Sequence, residues 1–397
     1  MLYAKTVYLI SLMKINKPEV VQQDNYIFYR VNIDFSDGNK TLWYAVDEEY
    51  ANLVSDRADA ALVALLIPAM ARGEDIYISG TISEKLYYNL SSRYQKILQI
   101  ILPSLRLVNV YPSDVQVASL RADGVATGFS AGIDSFSVLA DHHYKQNVPP
   151  GFRVTHLLYN NVGSHGGGAE RLFRERYARL KPMVAERIQL PFIAVNSNLD
   201  SFYKGFNFRQ THTPRNASVA LLLQRGIGRF MYASAYTYTD IYIGASNGMG
   251  YSDAVTLPLM STEVLDAFSV DSEYTRVEKT IRVANIEDSY QTLDVCVHAD
   301  RAYNCSTCFK CMRTLLTLEI AGSIEHYANI FDLKAYAQER EKYIAYKVLQ
   351  SNDPLIREIV SFAQERNFKF PLSSRLLRLK AQIGNIIKTP VRKFYKV

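Results

Sequence analysis

Hydrophobic and polar positions alternate with a period of two near the start of the chain and follow other patterns further on. The segment Tyr26–Phe35 reads as a half-buried strand, and a turn leads from it into 42–46, the second arm of a hairpin. An apolar run over 58–71 predicts a helix, and 76–82 predicts a strand. The pattern therefore predicts an α+β N-terminal domain over 1–118.

Further along, apolar runs of strand length alternate with longer amphipathic segments. Strands are predicted at 124–129, 154–160, 191–196 and 240–245, and helices at 134–146, 168–187, 215–231 and 310–321. Such βα alternation is typical of an α/β fold with a doubly wound parallel sheet, here assigned to 119–325. Ligands of these sheets bind at the carboxyl ends of the strands.

The final segment, 326–397, is predicted as a helical extension with helices at 327–348, 355–366 and 373–388. From Asn367 onward it holds eight basic residues and no acidic one, while the whole chain has a net charge of +6. The positive charge is therefore a property of this tail. A helix packed on the body with a solvated basic face is the preferred interpretation, and contact with an anionic membrane surface, an acidic partner or nucleic acid is the alternative.

The strand predicted at 124–129 runs into Ser130-Ala131-Gly132-Ile133-Asp134-Ser135 and then into a helix. Small residues between a strand and a helix let backbone N–H groups approach a phosphate closely. The Ser130 and Ser135 hydroxyls can add donors, and Asp134 can hold a phosphate-bound Mg²⁺. The loop lacks the Gly-Lys-Ser/Thr of a Walker A sequence. An ordinary turn rich in small residues is the simpler alternative.

All four cysteines of the chain lie within sixteen positions, at Cys296, Cys305, Cys308 and Cys311. The spacing C-x8-C-x2-C-x2-C predicts a structural Zn²⁺ site, because four thiolates close a tetrahedral shell. An Fe–S cluster, a redox thiol set and a chance grouping are the alternatives. Reduced cysteines and the lack of a run of about eighteen apolar residues favour the cytoplasm.

The loop resembles the Ser-Gly-Gly-x-Asp-Ser loop of the PP-loop ATP pyrophosphatases, with Ala131 in place of the first glycine. Together with the cysteines it is similar to the 7-cyano-7-deazaguanine synthases. Thr213-Pro214-Arg215-Asn216 is similar to the Pro-x-Arg-Asn segment of that family, and 241–244 to the strand before its substrate loop. The substrate loop differs from that of the family, since Tyr251-Ser252-Asp253-Ala254 stands where the family has Tyr-Pro-Asp-Cys. The resemblance covers about 120–325.

The resemblance implies an ATP-dependent ligase that adenylates a carboxylate or amide oxygen, releases pyrophosphate and then forms a C–N bond. It implies ATP, Mg²⁺ and Zn²⁺ as cofactors, and Ser130, Asp134, Ser135 and Arg215 as catalytic residues. Tyr159 and Asn160, at the end of the second strand, are candidate adenine contacts or a capped turn. The full nucleotide-binding prediction is Phe129, Ser130, Ala131, Gly132, Ile133, Asp134, Ser135, Tyr159, Asn160, Arg215, Asn216, Gly244 and Asp253.

Two other classes stay open at this point. A PP-loop sulfurtransferase would need a reactive cysteine near the nucleotide, and a regulatory nucleotide-binding protein would have lost turnover. For the ligase, the expected partners are a small-molecule or macromolecular acceptor and ammonia or an amine, with a homodimer as an open alternative. The charged stretch 276–282 is interpreted as a solvated helix face, with Glu278 and Arg282 as a surface ion pair.

Overall fold

The structure, a computed structural model, describes residues 12–166, 169–246, 248–298 and 300–380. The chain divides into two compact units. The first unit comprises Met1–Ser130 and Asp141–Glu273, and the second comprises Ala131–Ala140 and Tyr274–Val397. The boundary between Ser130 and Ala131 falls inside the loop that the sequence singles out.

The described part of the first unit holds a single mixed sheet of eleven strands, in which parallel pairings outnumber antiparallel ones. The strands are β1 (Leu12–Ile15), β2 (Glu19–Gln23), β3 (Tyr26–Phe35), β4 (Gly38–Asp47), β5 (Asp75–Ser83), β6 (Val110–Gln116), β7 (Gly124–Gly128), β8 (His156–Asn160), β9 (Phe192–Ser197), β10 (Ile227–Ala233) and β11 (Asp266–Val270). The α/β class is confirmed.

The predicted N-terminal hairpin is confirmed, because β3 and β4 pair in register from Phe35 opposite Gly38 to Tyr26 opposite Asp47. Strand β4 also pairs antiparallel with β9. The strands of 1–118 therefore extend the same sheet that carries β7 to β11. Whether 1–118, 119–325 and 326–397 fold independently stays a prediction.

The five strands β11-β10-β7-β8-β9 lie side by side and are all parallel. From β7 the chain adds β8 and then β9 on one side, and β10 and then β11 on the other. The strand order thus reverses at β7. A reversal of this kind opens a crevice at the carboxyl ends of the two central strands, where ligands of parallel sheets bind.

Strand β10 corrects two predicted elements. The helix predicted over 215–231 ends at Leu222, and 240–245 lies in a loop rather than a strand. Glycines explain why Ile227–Ala233 forms a strand instead of continuing the helix. A Cβ on Gly228 would lie 1.9 Å from the Ala122 carbonyl oxygen, and one on Gly124 would lie 2.2 Å from the Gly226 oxygen. The close pairing of β10 with β7 therefore needs these glycines.

The helices of the first unit are α1 (Asp59–Arg72), α2 (Glu84–Tyr88), α3 (Tyr94–Ile101), α5 (Ala169–Met183), α6 (His212–Leu222) and α7 (Asp253–Thr256). Helix α1, predicted over 58–71, is buried along almost its whole length and packs on α6. Apolar residues on every side of a helix are typical of such a buried position. Helix α6 carries the predicted Arg215 and Asn216.

The second unit is helical in its described part. It contains α4 (Ile133–Leu139), α8 (Arg276–Val283), α9 (Ser289–Thr292), α10 (Phe309–Ala321), α11 (Leu333–Tyr343) and α12 (Pro354–Glu365). Helix α8 packs against α4, α10 and α12. A last helical stretch covers 372–380, and the remainder of the basic tail lies outside the described residues.

Within the described ranges, the structure contains no helix that is long and apolar enough to cross a membrane.

Candidate functional site

The loop after β7 combines an exposed serine with a backbone bend. Ser130 is exposed, whereas Ala131 is buried and has a φ of 58°. A left-handed conformation costs a residue with a Cβ about 1 kcal/mol or more. Alanine fits such a loop without strain only when its φ is negative, so the bend at Ala131 is strained. A glycine, as the resembled family has at this position, would adopt this φ without strain.

Hydrogen bonds inside the second unit hold the bend. The Asp294 N–H donates to the Ala131 carbonyl oxygen at 2.8 Å. Gly132 has an extended backbone and precedes the first residue of α4. The Ser135 hydroxyl donates to the Gly132 carbonyl oxygen at 2.9 Å. Most of Ser135 is buried, so its hydroxyl supports the loop in this conformation.

Asp134 is surrounded by cations of the second unit. Its Oδ2 accepts a hydrogen bond from Arg276 Nη2 at 2.7 Å, and its Oδ1 lies 3.9 Å from Lys279 Nζ. The Lys279 side chain is only 1% exposed, whereas that of Asp134 is 32% exposed. The positive charge of Lys310 also acts on Asp134. The carboxylate is therefore the centre of a group that carries more positive than negative charge.

The environment of this group shifts three pKa values, and burial lowers that of Lys310. Burial alone would raise the pKa of Asp134, but Arg276 and Lys279 outweigh it and hold that pKa below its usual range. Burial, followed by repulsion from Arg276, lowers the pKa of Arg313 to about 10. Asp134 is therefore ionised at neutral pH. We call Asp134, Arg276, Lys279, Lys310 and Arg313 the charged cluster.

Sequence reasoning missed the four cations of this cluster and took 276–282 as a solvated face. Glu278 instead completes a capping box with Thr275 at the start of α8, and the Arg282 guanidinium lies 4.0 Å from the centre of the Tyr274 ring. The signal that could have shown the difference is the spacing of the buried residues Val277, Thr280 and Val283. Arg276 and Lys279 are three positions apart, so they lie on one side of the same helix.

The four cysteines meet at one point of the second unit. Their Sγ atoms all lie within 4.8 Å of one another, and Cys305 Sγ is 3.9 Å from Cys311 Sγ. Tetrahedral Zn–S bonds of about 2.3 Å place the sulfurs about 3.8 Å apart. None of the four is in a disulfide. The predicted ligand set is therefore brought together, and it could hold a metal ion such as zinc.

The backbone around the cysteines is shaped for a metal. The Cys308 N–H donates a hydrogen bond to Cys305 Sγ at 3.2 Å. Ser306 has a φ of 64°, and this left-handed residue turns the chain between the two ligands. Cys308 immediately precedes α10, and Cys311 lies in its first turn. The same helix carries Lys310 and Arg313 of the charged cluster.

In the first unit, two predicted residues from distant segments contact each other. Asn160, at the end of β8, donates from Nδ2 to Asn216 Oδ1 at 3.0 Å, and Asn160 Oδ1 is buried without a hydrogen-bond partner among the described residues. Asn216 Nδ2 donates to the His212 carbonyl oxygen at 2.8 Å. His212 Nδ1 lies 2.8 Å from the Tyr232 hydroxyl, on β10. This network joins the carboxyl ends of β8 and β10.

Asp253 lies beside the same turn of α6. Its Oδ1 accepts a hydrogen bond from the Thr213 hydroxyl at 2.6 Å, and its Oδ2 is buried without a partner among the described residues. Burial raises the pKa of Asp253 to about 7, while the Thr213 hydrogen bond acts in the opposite direction. Burial likewise lowers the pKa of His212 to about 4. Burial therefore disfavours the charged forms of Asp253 and His212.

Arg215 is enclosed in the first unit and supports its neighbours. Its side chain is 0% exposed, and Nη1 donates to the Val162 carbonyl oxygen at 3.0 Å and to Asp200 Oδ1 at 2.5 Å. Its guanidinium lies 3.8 Å from the centre of the Tyr203 ring. Gly163 has a φ of 103°, and a Cβ there would clash with both charged groups. In this conformation Arg215 holds the segment after β8.

The remaining predicted residues have varied surroundings. Tyr159 is buried, its hydroxyl lies 3.1 Å from His165 Nε2, and its ring stacks on Phe173. Phe129 is buried against Phe192, and Ile133 is buried in the second unit. Gly244 lies in an irregular loop, because the strand predicted to lead into it does not form. Tyr159 and Phe129 therefore present no exposed ring for an adenine in this conformation.

Comparison of the chain with protein-family models, with curated proteins and with solved structures finds no match in any of the three.

Proposed function

We propose that this chain is an ATP-dependent enzyme of the PP-loop type, with a Rossmann-like parallel sheet, that adenylates an acceptor oxygen and releases pyrophosphate. The observation that carries the proposal is the loop from Ser130 to Ser135. It leaves the sheet at the strand where the order reverses, bends at a left-handed Ala131, and enters α4, whose Asp134 belongs to the charged cluster. These features suit a polyphosphate.

The charge of the cluster fits the leaving group. Four cations share Asp134, so the group can accept an anion without becoming negative overall. Arg276 and Arg313 each have a buried Nε without a hydrogen-bond partner among the described residues. Buried guanidinium donors are suited to phosphate oxygens. In the proposal, Arg276 and Lys279 hold the β and γ phosphates as pyrophosphate departs.

Magnesium would share Asp134 with these cations. Asp134 Oδ1 has no hydrogen-bond partner among the described residues, so it can serve as a single oxygen ligand. Mg²⁺ in phosphate sites commonly uses one or two carboxylates together with phosphate oxygens and water. When bound, the ion neutralises phosphate charge. Arg276 keeps Asp134 ionised and aimed for that role.

In this proposal, catalysis depends on the positioning of the reactants and on electrostatic stabilisation. An acceptor carboxylate or amide oxygen forms a bond to the α-phosphorus, and the bond from that phosphorus to the bridging oxygen breaks, so the electron pair leaves with pyrophosphate. Ammonia or an amine then forms the C–N bond, loses a proton, and displaces AMP. The cations stabilise the developing charge on pyrophosphate. No covalent enzyme intermediate is required.

The cysteines argue against the sulfurtransferase alternative. That chemistry needs a thiol free to carry sulfur, and all four cysteines of the chain lie in one cluster with the geometry of a closed metal site. A closed tetrathiolate shell has no open position, so its metal is structural in this proposal. A nucleotide-binding protein without turnover remains the alternative that experiment must separate.

Nucleotide product analysis tests the proposal. The purified protein is incubated with Mg·ATP, ammonium and a small-molecule extract of its source cells. AMP with pyrophosphate is expected, whereas ADP with phosphate would contradict the PP-loop assignment, and ATP binding without turnover would favour the regulatory class. The Asp134→Asn variant is expected to lose turnover. Asp141→Asn is the matched control, because that carboxylate, 3.7 Å from Lys145, lies outside the charged cluster.

A further inference from the structure

We propose that the metal site positions the nucleotide loop through Asp294 and Asn304, so that metal binding and nucleotide binding are coupled. The nucleotide half of this inference rests on the proposed function. The structural half concerns only the second unit and can be tested without nucleotide. Asp294 and Asn304 are positioning residues, since neither belongs to the charged cluster or to the four cysteine ligands.

The first link joins the loop to the segment before Cys296. The Asp294 N–H donates to the carbonyl oxygen of the strained Ala131 at 2.8 Å. The Asp294 side chain turns back to its own segment, where Oδ1 accepts the Cys296 N–H at 3.3 Å. The residue that restrains the loop is therefore two positions from one metal ligand and is oriented by that ligand's backbone.

The second link joins this segment to the other three ligands. Asn304 immediately precedes Cys305 and is buried. Its Oδ1 accepts the Val295 N–H at 3.0 Å, and its Nδ2 donates to the Leu293 carbonyl oxygen at 2.8 Å. One amide thus brackets Asp294 on both sides. In the sequence, metal ligands lie on both sides of Asn304, with Cys296 before it and Cys305 directly after it.

The third link runs through α10. Cys308 and Cys311 fix the start of this helix, and Lys310 lies between them. Lys310 and Arg313 act electrostatically with Asp134, at the other end of the loop. A metal bound by all four cysteines therefore restrains the loop at Ala131 through hydrogen bonds, and it fixes the start of the helix that carries Lys310 and Arg313.

Coupling of this kind must be reciprocal. If the metal strengthens nucleotide binding by some factor, then nucleotide strengthens metal binding by the same factor. Coupling between distinct sites is typically about 5- to 150-fold in affinity. A closed structural site with no link to the loop would give a factor of one.

Hydrogen–deuterium exchange tests the structural half. Exchange in a peptide over 130–136 is compared between metal-loaded and chelator-treated protein, with α1 of the first unit as the internal reference. We expect exchange of the loop to rise about tenfold or more after metal removal, with α1 unchanged. Unchanged loop exchange in metal-free protein would overturn the proposal. If chelation unfolds the second unit, the variant below decides with the metal retained.

Asn304→Ala removes the bracket while leaving all four ligands. With metal content confirmed at one per chain, we expect faster loop exchange and a raised KM for ATP with a smaller change in kcat. Tyr336→Phe is the control, because it removes one buried hydrogen bond, to Glu319 Oε2, elsewhere in the same unit. Equal exchange in the loops of Asn304→Ala and Tyr336→Phe would contradict the proposal.

Chelator competition measures the nucleotide half by equilibrium. Zinc transfer to a chromophoric chelator is recorded with and without Mg·ATP, against a protein-free blank with the same Mg·ATP. We expect nucleotide to raise the chelator concentration needed by at least fivefold. No effect despite measured ATP binding would overturn the coupling. If ATP does not bind at all, the proposed function fails instead, and the exchange experiment still decides the structural half.

Discussion

Asp134 and Asp253 are two carboxyl groups predicted for the same site, and their surroundings have opposite effects. In the second unit, Arg276 and Lys279 hold the pKa of Asp134 below its usual range. In the first unit, burial raises the pKa of Asp253 to about 7. The Asp134 side chain is 32% exposed, whereas Asp253 as a residue is 1% exposed. One group is an ionised carboxylate paired with cations, and the other is a buried hydrogen-bonding group.

The difference shows that the surroundings of a carboxyl group, and not the sequence motif in which it lies, decide whether it is charged. Around Asp134 the cations outnumber the carboxylate, so an added anion is stabilised. Around Asp253 the described partner is the neutral Thr213 hydroxyl, and a charged ligand would pay the cost of burial. We infer that phosphate chemistry belongs to the charged cluster. The region of Asp253 suits a neutral donor group.

The largest effect on stability is expected from loss of a cysteine of the candidate metal site, because all four cysteines lie in the second unit. Cys308→Ser removes one of the four thiolates. Zinc binding of this kind contributes about 10–16 kcal/mol in small peptides, so we expect the free energy of unfolding of the second unit to fall by several kcal/mol. Elemental analysis should show less than one metal per chain, and calorimetry a lower midpoint for one transition. Thr307→Ala, an exposed neighbour, should retain one metal. Full metal content in Cys308→Ser would contradict the site.

The next effect concerns Asp253 and the pH dependence of stability. The folded state keeps this proton up to about pH 7, whereas the unfolded chain loses it near the ordinary aspartate pKa of 3.8. The free energy of unfolding therefore falls as pH rises through this window, by at most about 1.4 kcal/mol per pH unit from this group. Asp253→Asn should remove that fall and be more stable than wild type at pH 8.

Urea unfolding at several pH values measures this prediction. Asp56→Asn changes an exposed carboxylate of the same unit and serves as the control. The comparison uses the difference between variant and wild type, because His212, with its pKa lowered to about 4, contributes stability that increases with pH. A constant difference from pH 4 to pH 8 would show that Asp253 is ionised like Asp134.

A smaller effect on stability, but a large one on turnover, is expected from Lys279→Met. The side chain is almost fully buried, and an apolar residue of similar volume can replace a buried charge at little cost in stability. Loss of one electrostatic partner of the leaving group should lower turnover about 10²- to 10³-fold. Lys334→Met, at an exposed position on α11, is the control. Equal turnover in both variants would exclude the charged cluster from catalysis.

The smallest effect is expected at Ala131. Glycine removes the left-handed strain, so Ala131→Gly should raise the free energy of unfolding by up to about 1 kcal/mol. Ala140→Gly gives the matched control, because Ala140 has a φ of −54° and glycine there should lower stability by about 0.5–1 kcal/mol. Denaturant unfolding of both variants should give opposite signs. The same sign would mean that Ala131 is not strained.

Local patterns predicted the parts of the fold that depend on local chemistry. The β3–β4 hairpin, α1 and α10 follow from alternation, apolar periodicity and turn residues. Strand β10 was missed because its apolar residues continue those of α6 without a change that periodicity can detect. Its position depends on Gly124 and Gly228, which allow the close approach of β10 to β7, and this approach is a tertiary contact.

The candidate site likewise contains residues that the sequence predicted and residues that it did not. The cysteine ligands were predicted because three of them lie within seven positions, and the structure brings all four together. The partners of Asp134 were not, because Arg276 is 142 positions away and its helix resembles a surface helix in sequence. The left-handed φ of Ala131 also escaped prediction, since alanine carries no sequence signal for that conformation.

The most direct test of the account is to find which oxygen ends on AMP. The protein is incubated with Mg·ATP, ammonium and the small-molecule extract in ¹⁸O-labelled water, and AMP is analysed by mass spectrometry. If an acceptor oxygen attacks the α-phosphorus, AMP forms with pyrophosphate and carries no ¹⁸O from the solvent, which is the predicted result. AMP labelled by solvent would show simple hydrolysis, and ADP as the product would show attack at a different phosphorus. Either result would contradict adenylation.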